Sequence, residues 1–174
     1  MKDSAALEKE AVLMAASHIA AAARTAPKTR GIDNIEVIAI DDEGTKKLVI
    51  DKMLEISNKE NRPSFERDAN SMKDCHVIVA IGVKSNPSGL NCGFCGYPAC
   101  DELKKTKGAC AYNSIDLGIA VSSAVSAAEG LRIDNRIMYS IGRACLDLKL
   151  FGMTVRQALG IPLSVTGKNP YFDR

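Results

Sequence analysis

The chain has 174 residues, of which 46% are hydrophobic, and this predicts one globular domain with a substantial core. The 23 Lys and Arg residues nearly balance 21 Asp and Glu residues, and no long basic run occurs, so nucleic-acid binding is not expected. No segment reaches the roughly 20 apolar residues that a bilayer span needs, which excludes a membrane role from the prediction.

The first predicted element is a helix over about 5–24, with Asp3 or Ser4 as its N-cap and Pro27 beyond its end. Residues 11–23 are apolar on nearly every helical face, which predicts burial on most sides, in a core or at a subunit interface. Residues 1–10 mix acidic and basic side chains, whereas a secretory signal begins with a clearly positive segment. The sequence therefore predicts no signal peptide and a cytoplasmic location.

The next elements alternate between strand and helix. Ile35–Ile40 is rich in β-branched residues and predicts a strand, and the apolar spacing over 45–58 predicts an amphipathic helix. A polar loop over 58–74 is expected to contain a short exposed helix from Ser64. The nearly continuous apolar run at 75–83 predicts a central strand that is covered on both faces.

The second half of the chain follows a Pro- and Gly-containing loop at 84–91. Its predicted elements are helices over about 98–107, 113–129 and 144–151, a brief helix from a capping box at 154–157, and strands at 136–140 and 161–165. The helix over 113–129, with Asn113 or Ser114 as its N-cap, is rich in Ala, Ser and Val and has few charges. We therefore expect it to be buried and residues 114–129 to form the interface of a homodimer.

Four cysteines carry the clearest chemical signal. Cys92, Cys95, Cys100 and Cys110 fall in the spacing C-x2-C-x4-C-x9-C, close enough in sequence to reach one metal centre. In a reducing cytosol, clustered cysteines serve metals or redox chemistry more often than disulfides. The spacing predicts an iron–sulfur site, and zinc is the alternative, although a second paired C-x2-C that would favour zinc is absent.

The residues between these cysteines fit the needs of such a site. Gly93 and Gly96 each follow a cysteine, and glycine permits the positive φ angles that turn backbone N–H groups towards sulfur. Cys100 is expected to begin a short helix, and the amide groups at a helix N-terminus favour anionic ligands.

The fourth ligand is the least constrained by the sequence. The chain must reverse at Gly108 to bring Cys110 back towards the other thiols, and three residues are barely enough for that return. Cys75 and Cys145 are therefore alternative ligands, although both are otherwise expected to be unligated core cysteines. His18 and His76 are expected to be core residues as well.

A resemblance supports the cluster. Residues 91–100 resemble the C-G-x-C-G-x-P-x-C segment of the small [4Fe–4S] domains in corrinoid iron–sulfur proteins and related electron carriers. This resemblance implies a [4Fe–4S] cluster, although those domains usually place the fourth cysteine further along than Cys110. Most of the chain, including its ending at 158–174, is similar to an uncharacterised prokaryotic family described as containing a ferredoxin domain.

A second resemblance is to nitroreductases. Residues 21–27, followed by Asn34 and a strand, are similar to their A-P-S…N segment, which meets FMN, and residues 116–131 look like their central dimer helix. The sequence departs from that pattern because Lys28 stands where the serine would be and no Q-P-W follows Asn34. The resemblance nevertheless implies a nitroreductase-like α+β fold, bound FMN and a homodimer.

The FMN phosphate would need cations or a helix N-terminus. The candidates are Arg24, Lys28, Arg30 and Asn34, with Lys168 and Arg174 as outside candidates. The alternative is that the basic residues of this turn are solvated surface charges.

Together these features predict a single α+β domain over 1–174, with an antiparallel or mixed sheet flanked by helices and an inserted ferredoxin-type cysteine segment at 88–111. The expected function is that of an iron–sulfur redox protein, as an FMN-dependent oxidoreductase acting on a small organic substrate or a redox partner protein. The alternatives are a non-enzymatic electron carrier or redox sensor, and a protein with structural zinc. The sequence identifies no catalytic residue.

Overall fold

The computed structural model describes residues 1–172, which form an antiparallel sheet with helices on both faces. The strands are β1 (Ile35–Ile40), β2 (Val77–Lys84), β3 (Asp134–Asn135) and β4 (Val155–Ser164), in the order β1-β2-β4-β3. The helices are α1 (Ser4–Thr25), α2 (Glu43–Glu60), α3 (Pro63–Ser71), α4 (Cys100–Lys104), α5 (Ala111–Gly130) and α6 (Tyr139–Asp147). A single 3-10 turn, Thr29–Gly31, joins α1 to β1.

Strand β2 is the centre of the sheet, as predicted. It pairs with β1 on one side and with β4 on the other, and it is buried from Val77 to Val83. Because successive side chains point to opposite faces, Val79 and Ile81 pack into the core beneath α1 and α5, whereas Ile78 and Ala80 pack against α2, α3 and α6. The sheet therefore separates two hydrophobic cores.

Helices α1 and α5 pack side by side on one face of the sheet. Alanine side chains at their contact allow a close approach, and the Ser123 hydroxyl on α5 donates a hydrogen bond to the Ala22 carbonyl on α1 at 2.9 Å. Burial of α1 on most sides is not achieved within one chain, because Leu13 and Met14 are 38% and 63% exposed. Over residues 1–172, no helix combines the length and apolarity that a bilayer span requires.

Two predicted elements near the C-terminus are wrong. The capping-box spacing at 154–157 does not start a helix, because Val155–Ser164 is a strand that pairs with β2. Pairing with a buried central strand outweighs a local helix signal. The predicted strand at 136–140 is replaced by the two-residue β3, an isolated bridge between Met138 and Gly160, and the start of α6.

Two predicted helices also differ from the structure. Helix α3 is not an exposed helix, because Phe65 and Asp68 are buried against the second core. The helix predicted over 144–151 begins and ends earlier, as α6.

The contact between α6 and β4 depends on glycine. A Cβ added to Gly142 on α6 would overlap the Ala158 carbonyl group, and one added to Gly160 on β4 would overlap the Ile141 side chain. The helix backbone therefore lies directly on the strand, which positions the second core.

Gly142→Ala is expected to lower the free energy of unfolding by about 3 kcal/mol, because the added methyl group must push α6 away from β4. Urea unfolding followed by circular dichroism measures this change. Gly44→Ala in α2 is the matched control, since its Cβ would lie 3.4 Å from the Asp42 carboxylate, an ordinary contact. Equal stability of the Gly142 variant and wild type would contradict the close helix–strand contact.

Candidate functional site

The four clustered cysteines lie between β2 and the start of α5, where all of them line one small pocket. Cys92 is exposed, Cys95 and Cys100 are half-buried, and Cys110 is buried. Every one of them is a free thiol. The structure therefore brings the four sequence-predicted residues to one place, with Cys110 among them.

A short helix and a tight turn bring Cys110 back to the pocket. Helix α4 has only five residues, so it is shorter than the helix predicted over 98–107. The chain then reverses through hydrogen bonds from the Thr106 N–H to the Leu103 carbonyl at 3.0 Å and from the Gly108 N–H to the Thr106 hydroxyl at 3.0 Å. Gly108 suits this turn because a Cβ there would lie only 2.8 Å from Leu103. The return leaves Cys110 as the N-cap residue of α5.

The turn around Cys95 has the backbone conformation that its glycines predicted. Gly93 and Gly96 have φ angles of +75° and +83°, and the Gly96 N–H donates to the Gly93 carbonyl at 2.9 Å. Apart from the glycine itself and its two chain neighbours, no residue has an atom within 4 Å of a Cβ built at either position. Glycine is needed here for the left-handed backbone rather than for space.

Asn91 links the start of the cysteine segment to Cys100. Its side-chain Oδ1 accepts a hydrogen bond from the Cys100 N–H at 2.8 Å, and its own N–H donates to the Cys100 sulfur at 3.4 Å. Asn91 also has a positive φ of 48°. Asn91 is thus a positioning residue that the sequence analysis missed as a functional one, although asparagine before the first cysteine, with its tolerance for this conformation, was a usable signal.

Ser88 and Asn113 surround Cys110. The Ser88 hydroxyl lies 3.7 Å from the Cys110 sulfur and donates to the Asn113 side-chain oxygen at 3.2 Å. The Asn113 amide donates to the carbonyls of Lys84 at 2.9 Å and Asn86 at 2.8 Å, so it is not the predicted N-cap of α5. These bonds attach the end of β2 to the first turn of α5 and place both residues beside the thiol.

The surroundings of Cys110 favour its thiolate. Burial raises the pKa of this thiol, but hydrogen bonding to the backbone of Ser88 and Asn113 and to the Ser88 side chain lowers it by more, so the net pKa lies below its ordinary value. A lowered thiol pKa is expected of a residue that binds a metal as a thiolate.

The cysteines share a pocket without converging on one point. Within residues 1–172, no three side chains of His, Cys, Asp or Glu come together closely enough to hold one metal ion. A single zinc ion needs each sulfur at about 2.3 Å. An iron–sulfur cluster instead spreads its cysteine ligands over several irons, so it accepts thiols that line a pocket at wider separation. The four cysteines supply the thiolates that either centre takes, and their arrangement does not distinguish a cluster from a single ion.

Cys75 and Cys145 do not join this pocket. Both lie in the second core, on the other face of the sheet from α1 and α5, and both are buried. Burial raises the pKa of each thiol to about 12, which keeps both neutral. They are core cysteines, as expected, and neither can replace Cys110 in this fold.

These buried thiols predict a loss of stability at alkaline pH. In the unfolded chain a thiol ionises near its ordinary pKa of 9.0, whereas in the folded chain Cys75 and Cys145 ionise only near 12. A raised folded-state pKa gives stability that is complete below pH 9 and is lost as the pH rises towards 12, at most about 4 kcal/mol for each thiol. Urea unfolding of metal-free protein from pH 8 to 11 measures this slope, and Cys145→Ala should reduce it. If the free energy of unfolding fell as steeply with pH in that variant as in wild type, Cys145 would not be a buried, neutral thiol.

The candidate flavin residues gather at the turn between α1 and β1. Arg24 forms an ion pair with Asp33 and donates to the Ile35 carbonyl, and Lys28 donates to the Ala26 carbonyl at 3.0 Å. Burial raises the pKa of Asp33, but Arg24 lowers it by more, so the carboxylate stays ionised. Much of the hydrogen-bonding capacity of Arg24 and Lys28 is thus used within the chain.

Arg30 and Asn34 connect this turn to the cysteine segment and to β2. The Arg30 guanidinium donates to the Ser88 carbonyl at 3.0 Å, and the carbonyl of the buried Asn34 accepts from the Lys84 N–H at 2.9 Å. The turn is held by the buried Asp116 of α5, which accepts from both the backbone N–H and the hydroxyl of Thr29. Asp116 is a further residue that the sequence analysis did not single out for this role.

The remaining candidates lie elsewhere. Lys168 follows β4 and makes an interaction within the chain, and Arg174 lies outside the described residues. His18 is exposed on α1, so its predicted place in the core is wrong. His76 is half-buried, its Nδ1 has no hydrogen-bond partner among residues 1–172, and burial lowers its pKa. Neither histidine lines the cysteine pocket.

Comparison with solved structures defines the fold class. The chain is similar to a nitroreductase with bound FMN from Bacteroides fragilis, with a TM-score of 0.64 and 10% identity over 88% of this chain and 77% of that one. A nitroreductase with bound FMN from Desulfitobacterium hafniense gives a TM-score of 0.61 and 15% identity, over 100% and 85%. A BluB-like flavoprotein from Clostridium difficile gives 0.60 and 18%, over 90% and 81%. The fold is therefore nitroreductase-like, as predicted.

Comparison of sequences defines the family. The profile of a family described as "Uncharacterized protein containing a ferredoxin domain" matches residues 106–174. An uncharacterised protein from Archaeoglobus fulgidus is 42% identical over 178 residues, which cover 96% of this chain and 94% of that protein. The chain belongs to this family of ferredoxin-domain-containing proteins.

Proposed function

We propose that this protein is a redox protein in which Cys92, Cys95, Cys100 and Cys110 bind a [4Fe–4S] cluster. The observation that carries the proposal is that four free thiols from one short segment line a single pocket. Membership of a family described as containing a ferredoxin domain supports a redox function, and the matched residues 106–174 include Cys110 of the four cysteines. In this proposal, residues 88–111 are a ferredoxin-type segment inserted into one nitroreductase-like domain.

The chain supplies the polar groups that such a centre needs. When bound, the cluster would accept and release single electrons. The Asn91 N–H already donates to the Cys100 sulfur, and backbone groups of Ser88 and Asn113 hydrogen-bond Cys110, so sulfur-bound negative charge would meet hydrogen-bond donors. Phe94, which is 68% exposed, stacks on Tyr112 with ring centroids 5.5 Å apart, and Tyr112 lines the pocket.

FMN is the second cofactor of this proposal, which makes the protein a flavin-dependent oxidoreductase acting on a small organic substrate or a partner protein. The likeness of the fold to nitroreductases with bound FMN supports it. Arg24, Lys28, Arg30 and Asn34 would contact the flavin from the turn before β1. Because Arg24 and Arg30 each donate to groups of the chain, a phosphate would use their remaining N–H groups and the Lys28 ammonium.

Anaerobic purification followed by visible spectroscopy and flavin extraction tests both cofactors. A brown protein that bleaches on reduction, and that releases yellow flavin on denaturation, is the expected result. A brown protein without flavin would instead support the electron carrier or redox sensor. A colourless protein would contradict the proposal.

We also propose that the protein is a cytoplasmic homodimer. The outward face of α5 carries no charged side chain between the buried Asp116 and Glu129 and leaves Ile115 and Ile119 44% and 38% exposed. Ile115 and Ile119 lie one helical turn apart and form an apolar surface that a second copy would cover. The free thiols fit a reducing compartment. Neither nucleic acid nor a membrane is a partner in this proposal.

A further inference from the structure

A second pocket, of about 490 Å³, lies on the other side of the segment that joins Cys100 to Cys110. One wall is formed by Ser85, Asn86 and Pro87 after β2, and the opposite wall by residues between Leu103 and Gly108. Arg156, near the start of β4, completes the lining. The volume falls in the range of roughly 300–1,000 Å³ that is typical of small-molecule sites.

All charged side chains that line this pocket are positive. They are Lys104, Lys107 and Arg156. Lys104 forms an ion pair with Asp101 at 2.8 Å, away from the pocket lining, whereas Lys107 and Arg156 make no hydrogen bond or ion pair with residues 1–172. Lys107 and Arg156 are exposed and have no counter-charge among these residues, so an anion placed between them would be favoured.

The walls of the pocket are held by hydrogen bonds of the chain itself. The Ser85 N–H donates to the Thr154 carbonyl at 2.8 Å, and the Asn86 carbonyl accepts from the Asn113 amide at 2.8 Å. On the opposite wall, the Thr106 hydroxyl donates to the carbonyl of Leu103, whose side chain is buried. The cavity is therefore formed before any ligand binds, which lowers the entropic cost of binding.

We propose that this pocket binds a small polyanion, a compound with at least two phosphate or carboxylate groups, through Lys107 and Arg156. An arginine can form two parallel hydrogen bonds with such a group, and the neighbouring lysine can neutralise a second charge. A polar lining with several cations suits a multiply charged ligand better than an apolar one. The wall formed by Leu103 to Gly108 also connects two cysteines, so the ligand would bind directly beside the cysteine pocket.

Isothermal titration calorimetry on the anaerobically purified chain tests this site, with inorganic pyrophosphate and citrate as separate probes at low ionic strength. Saturable binding of one probe molecule per chain is expected for at least one of them, and the probe that binds identifies phosphate or carboxylate chemistry. Lys107→Gln combined with Arg156→Gln should weaken that binding at least tenfold. Absence of binding by both probes would overturn the proposal.

The control variant combines Lys9→Gln with Lys73→Gln, which removes two exposed positive charges outside the pocket. Its affinity for the probe should equal that of wild type. Equal weakening in both double variants would show a general charge effect and would overturn the pocket as the site. Iron measured in the same samples separates this inference from the cluster, because wild type that holds iron but binds neither probe counts against the pocket alone.

Discussion

Cys95→Ser is expected to remove essentially all iron and sulfide from the protein while leaving its fold in place. Cys95 lies between Gly93 and Gly96 in the turn that lines the cysteine pocket, and the loss of one thiolate leaves one iron without its protein ligand. No spare thiol is available, because Cys75 and Cys145 lie in the core on the other face of the sheet. Iron and sulfide analysis measures the loss, and circular dichroism measures the retained helix content.

The fold should survive Cys95→Ser because Cys95 belongs to neither hydrophobic core. Cys145→Ala is the matched control, since it removes a cysteine that is fully buried but distant from the pocket. That variant should keep its iron and lose about 1 kcal/mol of stability. Full iron content in the Cys95 variant, or equal iron loss in both variants, would contradict the ligand assignment.

Ile119→Glu is expected to convert the proposed homodimer into a monomer. In a two-fold symmetric interface the substitution would place a carboxylate on each chain against an apolar partner surface, and burying an unpaired charge costs several kcal/mol. The outward position of Ile119, 38% exposed, makes the substitution compatible with a folded chain. Light scattering at micromolar concentration distinguishes the dimer from a single chain of 18.6 kDa.

Leu48→Glu is the control for the dimer prediction. Leu48 is 56% exposed on α2, which covers the opposite face of the sheet from α5, so this variant should remain dimeric. A monomeric wild type, or dissociation of both variants, would contradict an interface on α5.

The sheet centre and the long helices were predictable from local pattern alone. The apolar run that forms β2 is buried only if helices cover both faces of the sheet. The Ala-rich sequences of α1 and α5 fit the close contact between these two helices. The end of β4 was predicted as a strand at 161–165, but its first half was missed because the signal at Thr154 is local, whereas the pairing of β4 with β2 joins segments more than 70 residues apart. The close packing of Gly142 on α6 against β4 likewise depends on tertiary structure, which the local sequence does not show.

The cysteine pocket was predictable in its ligand candidates but not in its supporting groups. Spacing identified the thiols and glycine identified the turn conformation, because both are properties of neighbouring residues. Ser88 and Asn113 reach Cys110 only after β2 and α5 are packed together, so nothing in their local sequence signalled their role. Cys110 returns to the pocket because α4 is short, and the sequence pattern overestimated the length of this helix.

The amounts of iron, acid-labile sulfide and zinc per chain, measured on wild type purified without oxygen, test the central claim most directly. A [4Fe–4S] centre held by the four clustered cysteines predicts iron and sulfide in equal amounts, about four of each per chain, with little zinc. One zinc per chain without sulfide would contradict the redox function and leave the cysteine segment with a structural role.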